Sequence, residues 1–102
     1  MDLNKMMKQL QQTQVRMAQL QEELATRTVE AAAGGGMVKV VANGRNEIVS
    51  IKIDPEVVDP ADVEMLEDLI TAAVNDARNR VEEMTRGEMA RLTGGLGLPG
   101  LA

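Results

Sequence analysis

Leu3, Met6, Leu10, Thr13, Met17, Leu20 and Leu24 stand at alternating steps of three and four, the a/d rhythm of a heptad seam. Between them lie Gln, Lys, Glu and Arg, all good helix formers. Asp2 puts a carboxylate near the positive end of the helix dipole. The pattern predicts one helix from Asp2 to about Thr26, roughly 37 Å long at 1.5 Å per residue. That is long for so small a domain, so part of the helix is expected to project or to meet a second chain. A core-facing amphipathic helix is the simpler alternative.

Beyond this helix the period falls to two. Thr28 to Ala33 reads as a strand with Val29, Ala31 and Ala33 on one face, and Gly34, Gly35 and Gly36 read as a flexible turn. This is not a phosphate-cradling P-loop, since no Gly-Lys-Ser/Thr follows. Met37 to Asn43 and Asn46 to Ile53 form a β-hairpin. With Asn43-Gly44 as the central pair of the turn, Val40 would oppose Glu47. With Gly44-Arg45, Val40 opposes Val49 and Val38 opposes Ile51. The second register matches apolar residues and puts Gly first, as a type II′ turn requires, so it is the expected one. Lys39, Ser50 and Lys52 then share the other face with Met37, Val41 and Ile48.

Asp59-Pro60 reads as the next helix start, with Asp as cap, Pro first and Asp62 in the first turn. Val63, Leu66, Ile70, Ala73, Val74, Ala77, Val81 and Met84 keep helical spacing, and Gly87 weakens the helix near its end. The Gly-rich ending TGGLGLPGLA is expected to be mobile. The expected organisation is one domain over residues 1–93 with a flexible tail over 94–102. No parallel crossover is indicated. The fold class is therefore α+β in the order α-β-β-β-α, a three-stranded antiparallel meander flanked by two long helices.

Composition narrows the chemistry. The 102 residues include no Phe, Tyr, Trp, Cys or His. A core of Val, Ile, Leu, Met and Ala alone is thin for a monomer, and dimerisation is one way to bury more apolar area. There is no disulfide, thiol nucleophile or zinc ribbon, no imidazole base, and no aromatic platform for single-stranded bases. No apolar run approaches the roughly 18 residues of a membrane-spanning helix, and the polar start is unlike a signal peptide, so a cytoplasmic location is expected. Asp54, Glu56 and Asp59 do not have EF-hand spacing, and Asp59 is better explained as a cap. An enzyme is not expected, and neither is a metal, a cofactor, a small-molecule substrate or a membrane.

The formal net charge of -5 is uneven: residues 1–27, 28–53, 54–76 and 77–102 carry +1, +1, -8 and +1. The acidity belongs to DPEVVDPADVEMLEDLITAAVND, with eight carboxylates and no Lys or Arg. A solvated helix face that keeps the protein soluble explains it most simply. The sharper alternative is a surface that orients a polyanion by repulsion.

The ordered combination of NKMMKQLQQTQVRMAQLQEEL, GGGMVKVVANGRNEIVSIKIDPEVV, DVEMLEDLITAAVNDA and LTGGLGLPG resembles the YbaB/EbfC family of small bacterial nucleoid-associated proteins over nearly the whole chain. The resemblance implies a homodimer whose long helices project from a central sheet body like tweezers. It also implies binding to double-stranded DNA with a change in DNA conformation, and roles in nucleoid organisation and gene expression.

The resemblance locates binding on the helical arms. The cations there are Lys5, Lys8 and Arg16 on the first helix and Arg78, Arg80, Arg86 and Arg91 on or after the second. Each has a structural alternative as a partner of nearby carboxylates, Glu82 and Glu83 for Arg78, Arg80 and Arg86. The seam residues Leu3, Met6, Leu10, Met17, Leu20 and Leu24 are the expected dimer contacts. Lys39, Arg45 and Lys52 on the hairpin form a secondary candidate surface. No helix-turn-helix reading helix is present, so backbone contact with DNA deformation is expected rather than base-edge readout. The alternative function is a protein–protein adaptor dimer that offers its acidic surface to a basic partner and does not touch DNA.

Overall fold

The period-two segments become β1 (Thr28–Ala33), β2 (Val38–Asn43) and β3 (Ile48–Ile53), preceded by α1 (Leu3–Thr26) and followed by α2 (Val63–Gly95). The computed structural model, which describes residues 2–95, pairs the strands antiparallel in the order β1-β2-β3. This is the expected α-β-β-β-α meander. Residues 96–102 of the expected tail lie outside the described residues, and α2 runs to Gly95, past the boundary expected at residue 93.

Val29, Ala31 and Ala33 of β1 stand opposite Ala42, Val40 and Val38 of β2. Across this surface α2 lays Ala73, Ala77 and Val81, and the buried core is completed by Val57. Alanine and valine at the contact let helix and sheet approach closely, which suits a core without aromatic rings. The coverage stops at two strands. α2 packs on β1 and β2, while all six residues of β3 are exposed.

The β1–β2 turn uses Gly34, Gly35 and Gly36 at φ of 64, 68 and 94°, a left-handed run that other residues rarely adopt. The β2–β3 turn corrects the expected register. Gly44-Arg45 is indeed the central pair, closed by the Asn46 N–H donating to the Asn43 carbonyl at 2.9 Å. Gly44, however, does not have the positive φ that a type II′ turn demands; Asn46 takes it instead, at 63°. Asn46 thereby becomes a third loop residue, and the Asn43 N–H reaches the Glu47 carbonyl at 3.0 Å. A second irregularity, between Val41 and Ala42, leaves Val49 as an extra residue. Val40 therefore faces Ile51 and Val38 faces Ile53, rather than Val49 and Ile51. A slip of two residues keeps side chains on their faces, so Lys39 opposes Lys52 and Val41 opposes Ser50 as a group. Ile48 leaves that group and comes opposite Ala42.

α2 begins later than Asp59-Pro60 suggested. Asp54 accepts the Glu56 N–H at 2.9 Å and opens a 3-10 turn over Pro55–Val57 that buries Val57. Asp59 then closes a turn, accepting from Ala61 N–H on its side chain and from Asp62 N–H on its carbonyl, both at 2.9 Å. Pro60 is the second residue of that turn, its other favoured position. Asp62 caps α2 instead, accepting the Met65 N–H at 3.2 Å. The helix then continues through Gly87.

α1 is capped by Asp2, whose Oδ1 accepts the N–H groups of Asn4 at 3.1 Å and Lys5 at 3.4 Å. Of its own residues it buries only Leu24. There the hairpin turn docks: the Gly44 N–H donates to the carbonyls of Leu24 at 2.8 Å and Arg27 at 3.1 Å. The rest of α1 stands away from the body. The molecule measures 71 × 25 × 16 Å with a radius of gyration of 19.8 Å, against about 13 Å for a compact chain of 100 residues.

Two glycine substitutions separate the joint from the helix. A Cβ on Gly44 would lie 2.1 Å from the Leu24 carbonyl oxygen, whereas one on Gly87 meets nothing within 4 Å. Gly44→Ala is expected to lower stability by about 1–3 kcal/mol, and Gly87→Ala to raise it by up to about 1 kcal/mol. Urea denaturation followed by far-ultraviolet circular dichroism, at fixed protein concentration, measures both.

Candidate nucleic-acid interface

Residues 3–21 contain Lys5, Lys8 and Arg16 and no Asp or Glu. At about 100° per residue, Lys5, Lys8, Gln12 and Arg16 fall within an arc of about 80°. Their mean direction lies about 125° from that of the apolar seam. All four are exposed, and no ion pair engages these three cations among the described residues. Lys8, Gln11, Gln12, Val15, Arg16 and Gln19 line a shallow groove along the helix. The result is a straight cationic stripe on a projecting rod, rimmed by amides that donate and accept hydrogen bonds.

The seam beside it is divided. Leu3, Met6 and Leu10 are exposed, Met17 and Leu20 are half-buried, and Leu24 is buried within the protomer beside Gly44.

The cations of α2 do not gather in the same way. Arg78 and Arg80 point about 160° apart around the helix axis. Arg80 Nε donates to Asp76 Oδ2 at 3.2 Å, one turn back, rather than to the expected Glu82 or Glu83. An acid preceding a base by four residues is the favoured orientation on a helix. Arg78 and Arg86 are exposed and make no ion pair among the described residues. Arg91 is tied to Glu88, its Nη1 donating to Glu88 Oε1 at 3.3 Å. Glu88 also accepts from Nη1 of Arg27, the residue that caps the C-terminus of α1.

This clasp was not foreseen from the sequence, although a signal for it exists. Ala73, Ala77, Val81, Met84 and Glu88 continue one helical stripe at steps of four, four, three and four. Glu88 is the position where the core-facing stripe runs past the end of β1 and meets Arg27. α2 thus spans the body from Leu69, packed beside Gly34, to Glu88 at the root of α1.

The acidic segment sits at the other end. Asp54, Asp59 and Asp62 accept backbone N–H groups, and Asp76 holds Arg80. Glu56, Glu64, Glu67 and Asp68 are left as exposed carboxylates. Glu64 and Glu88 are separated by about 36 Å of helix. Among the described residues no group of three or more Asp or Glu side chains is placed to hold a metal ion, and no helix is long and apolar enough to cross a membrane.

Residues 1–96 match the model of the YbaB/EbfC DNA-binding family. The chain belongs to that family. It is 63% identical over 100 residues to the nucleoid-associated protein of Pelotomaculum thermopropionicum, covering 98% of this chain and 95% of that one. With the nucleoid-associated protein of Moorella thermoacetica it shares 64% over 99 residues, 97% and 95% of the two chains. The crystal structure of an uncharacterized protein from Helicobacter pylori superposes with a TM-score of 0.79 at 28% identity, covering 91% of this chain and 98% of that one. The family is one of DNA-binding proteins.

Within this YbaB/EbfC chain the Glu88 clasp has a defined pH dependence. The hydrogen bond from Arg27 holds the Glu88 carboxyl below its ordinary value of 4.5; partial burial opposes this, and the charges of Arg27 and Arg91 reinforce it. A depressed folded value means that the ion pairs contribute fully above pH 4.5 and are lost as pH falls through the lower folded value. The difference in melting temperature between the wild type and Glu88→Gln is therefore expected to be constant near neutrality. It should shrink toward zero as the pH falls below 4.5 and through the lower folded value.

Proposed function

We propose that the chain binds double-stranded DNA as a homodimer, contacts phosphates along the Lys5–Lys8–Arg16 face of each α1, and alters the conformation of the DNA it holds. Nucleoid organisation and gene regulation follow from such binding, at the nucleoid in the cytoplasm. The observation that carries the reading is the unpaired cationic stripe on a projecting helix of a chain that belongs to a DNA-binding family. Cations without carboxylate partners are the ones that release counterions when they meet phosphate. The names of the relatives as nucleoid-associated proteins support the same conclusion. Arg78 and Arg86 on α2 supply further contacts, while Arg80 and Arg91 are engaged within the protomer.

Exposed apolar surface supports the dimer. β3 is an edge strand with Ile48, Val49, Ile51 and Ile53 exposed at 38, 57, 43 and 37%. Unpaired strand edges with apolar side chains are a hazard that proteins cover, and a second β3 related by a twofold axis is self-complementary in both backbone and side chains. Leu3, Met6 and Leu10 on α1 supply further apolar contact, with Met17 and Leu20 half-buried beside them. Ile51→Lys is expected to yield a folded monomer in sedimentation equilibrium at micromolar concentration. A dimer that survives this change would move the interface away from β3.

DNA contact is tested with a labelled duplex by fluorescence anisotropy across a salt series. The wild type is expected to lose affinity steeply with salt and to bind unrelated sequences alike. Lys5→Ala/Lys8→Ala/Arg16→Ala should flatten the dependence of log K on log salt by up to about 5 per dimer, with unchanged helix content. Absence of binding by the wild type at low salt would favour the adaptor role.

A further inference from the structure

Glu88 takes both Arg27 and Arg91 on one carboxylate oxygen. Its side chain is 19% exposed, while those of Arg27 and Arg91 are 49% and 80% exposed. The two guanidinium groups therefore reach outward past the carboxylate that holds them. They stand where three elements meet: the end of α1, the start of β1 and the outer part of α2. Arg45, in the hairpin turn docked on Leu24, adds a further exposed cation at the same root and lines a depression with Gln21, Leu24 and Gly44. One carboxylate against two guanidinium groups leaves the clasp cationic by one unit.

From this arrangement we infer that Arg27 and Arg91 form a phosphate site at the root of the arm, and that Glu88 occupies it in the absence of DNA as an internal stand-in for the phosphate. This rests on the DNA-binding reading above and deepens it by adding Arg27, a residue at no position of the α1 stripe. The chemistry of the exchange is balanced. Carboxylate and phosphate both offer oxygens to the planar donor fork of arginine. A duplex lying along the α1 stripe brings its backbone toward the root, where a phosphate takes over the outward-facing donors. Glu88 restrains this by competing for them, so that root contact forms only when the stripe is already engaged. The contact then acts as an intramolecular second step.

The experiment compares the wild type, Glu88→Gln, Arg91→Gln and Glu64→Gln by labelled-duplex anisotropy across a salt series. Glu64→Gln removes the same charge at the acidic end and serves as the control. Glu88→Gln is expected to bind about tenfold more tightly at low salt, because the root donors no longer have to be taken from a carboxylate. Its salt slope should be that of the wild type, since the same phosphates are neutralised in both. Glu64→Gln should leave both quantities unchanged. Arg91→Gln, an exposed change, should weaken binding. If Glu88→Gln does not fold, as its melting curve would reveal, that weakening by Arg91→Gln is the deciding result. The inference is overturned if folded Glu88→Gln binds like the wild type, if Glu64→Gln tightens binding equally, or if Arg91→Gln changes nothing. Failure of the wild type to bind at low salt would instead overturn the underlying DNA reading.

Discussion

The last turn of α1 ends with carbonyl groups that have no partner further along the helix, and the body supplies one. The Gly44 N–H reaches the carbonyls of both Leu24 and Arg27, so the hairpin turn closes the helix end that it also anchors. The approach is backbone to backbone, and only a residue without a Cβ allows it. A helix of 24 residues held at its final turn is a lever of about 36 Å, and small changes at the joint become large displacements at Lys5. The pair Arg27–Glu88 adds a second tie three residues past Leu24, from a different element. The direction of the cationic stripe is therefore set by three elements at one point, while the stripe itself touches none of them.

The exposed third strand follows from the same economy of parts. A helix is about 10 Å across and strands lie about 4.8 Å apart, so one helix covers about two strands. Among the described residues, α2 is the helix laid on the sheet, while α1 meets it only at its root. With Ala73, Ala77 and Val81 at the contact, α2 sits low over β1 and β2. Larger core residues would have widened the covered area. Their absence leaves Ile51 and Ile53 on the same face as the buried Val40 and Val38 but open to solvent. Apolar character on β3 is thus inward-facing residue choice without an inner layer within the protomer to meet it.

The sequence was readable where one local pattern decided the outcome. The heptad rhythm and Asp2 set α1, and alternation bounded by the three glycines set β1 to the residue. Reading failed where two local solutions were equally good and a distant contact chose between them. Gly44 suits a type II′ turn by itself; its contact with Leu24 engages it otherwise, and Asn46 takes the left-handed position. Asp59 and Asp62 are both competent caps; a 3-10 turn buries Val57 just before them, Asp59 is taken up in closing the next turn, and α2 starts from Asp62. Pairing of Glu88 with Arg27 spans 61 residues, beyond any helical periodicity. Of the candidate cations, the three on α1 could be grouped from spacing alone. The four on α2 could not, since Asp76 and Glu88 decided which of them were engaged.

A net charge of -5 and a DNA-binding fold conflict only if charge is averaged over the molecule. At physiological ionic strength fields decay over about 8 Å. The exposed carboxylates of α2 begin at Glu64, about 36 Å along the helix from Glu88, and the stripe lies further still along α1. A phosphate at Lys8 therefore responds to residues 3–21, which carry three cations and no acid, and hardly at all to the acidic end. Half of the carboxylates in the acidic segment are already engaged as caps, turn formers or the partner of Arg80. The remainder keep that end solvated, and repel a polyanion only if it approaches from that side. Separation of the two charges along a rod-like molecule, rather than their sum, decides which surface can hold DNA.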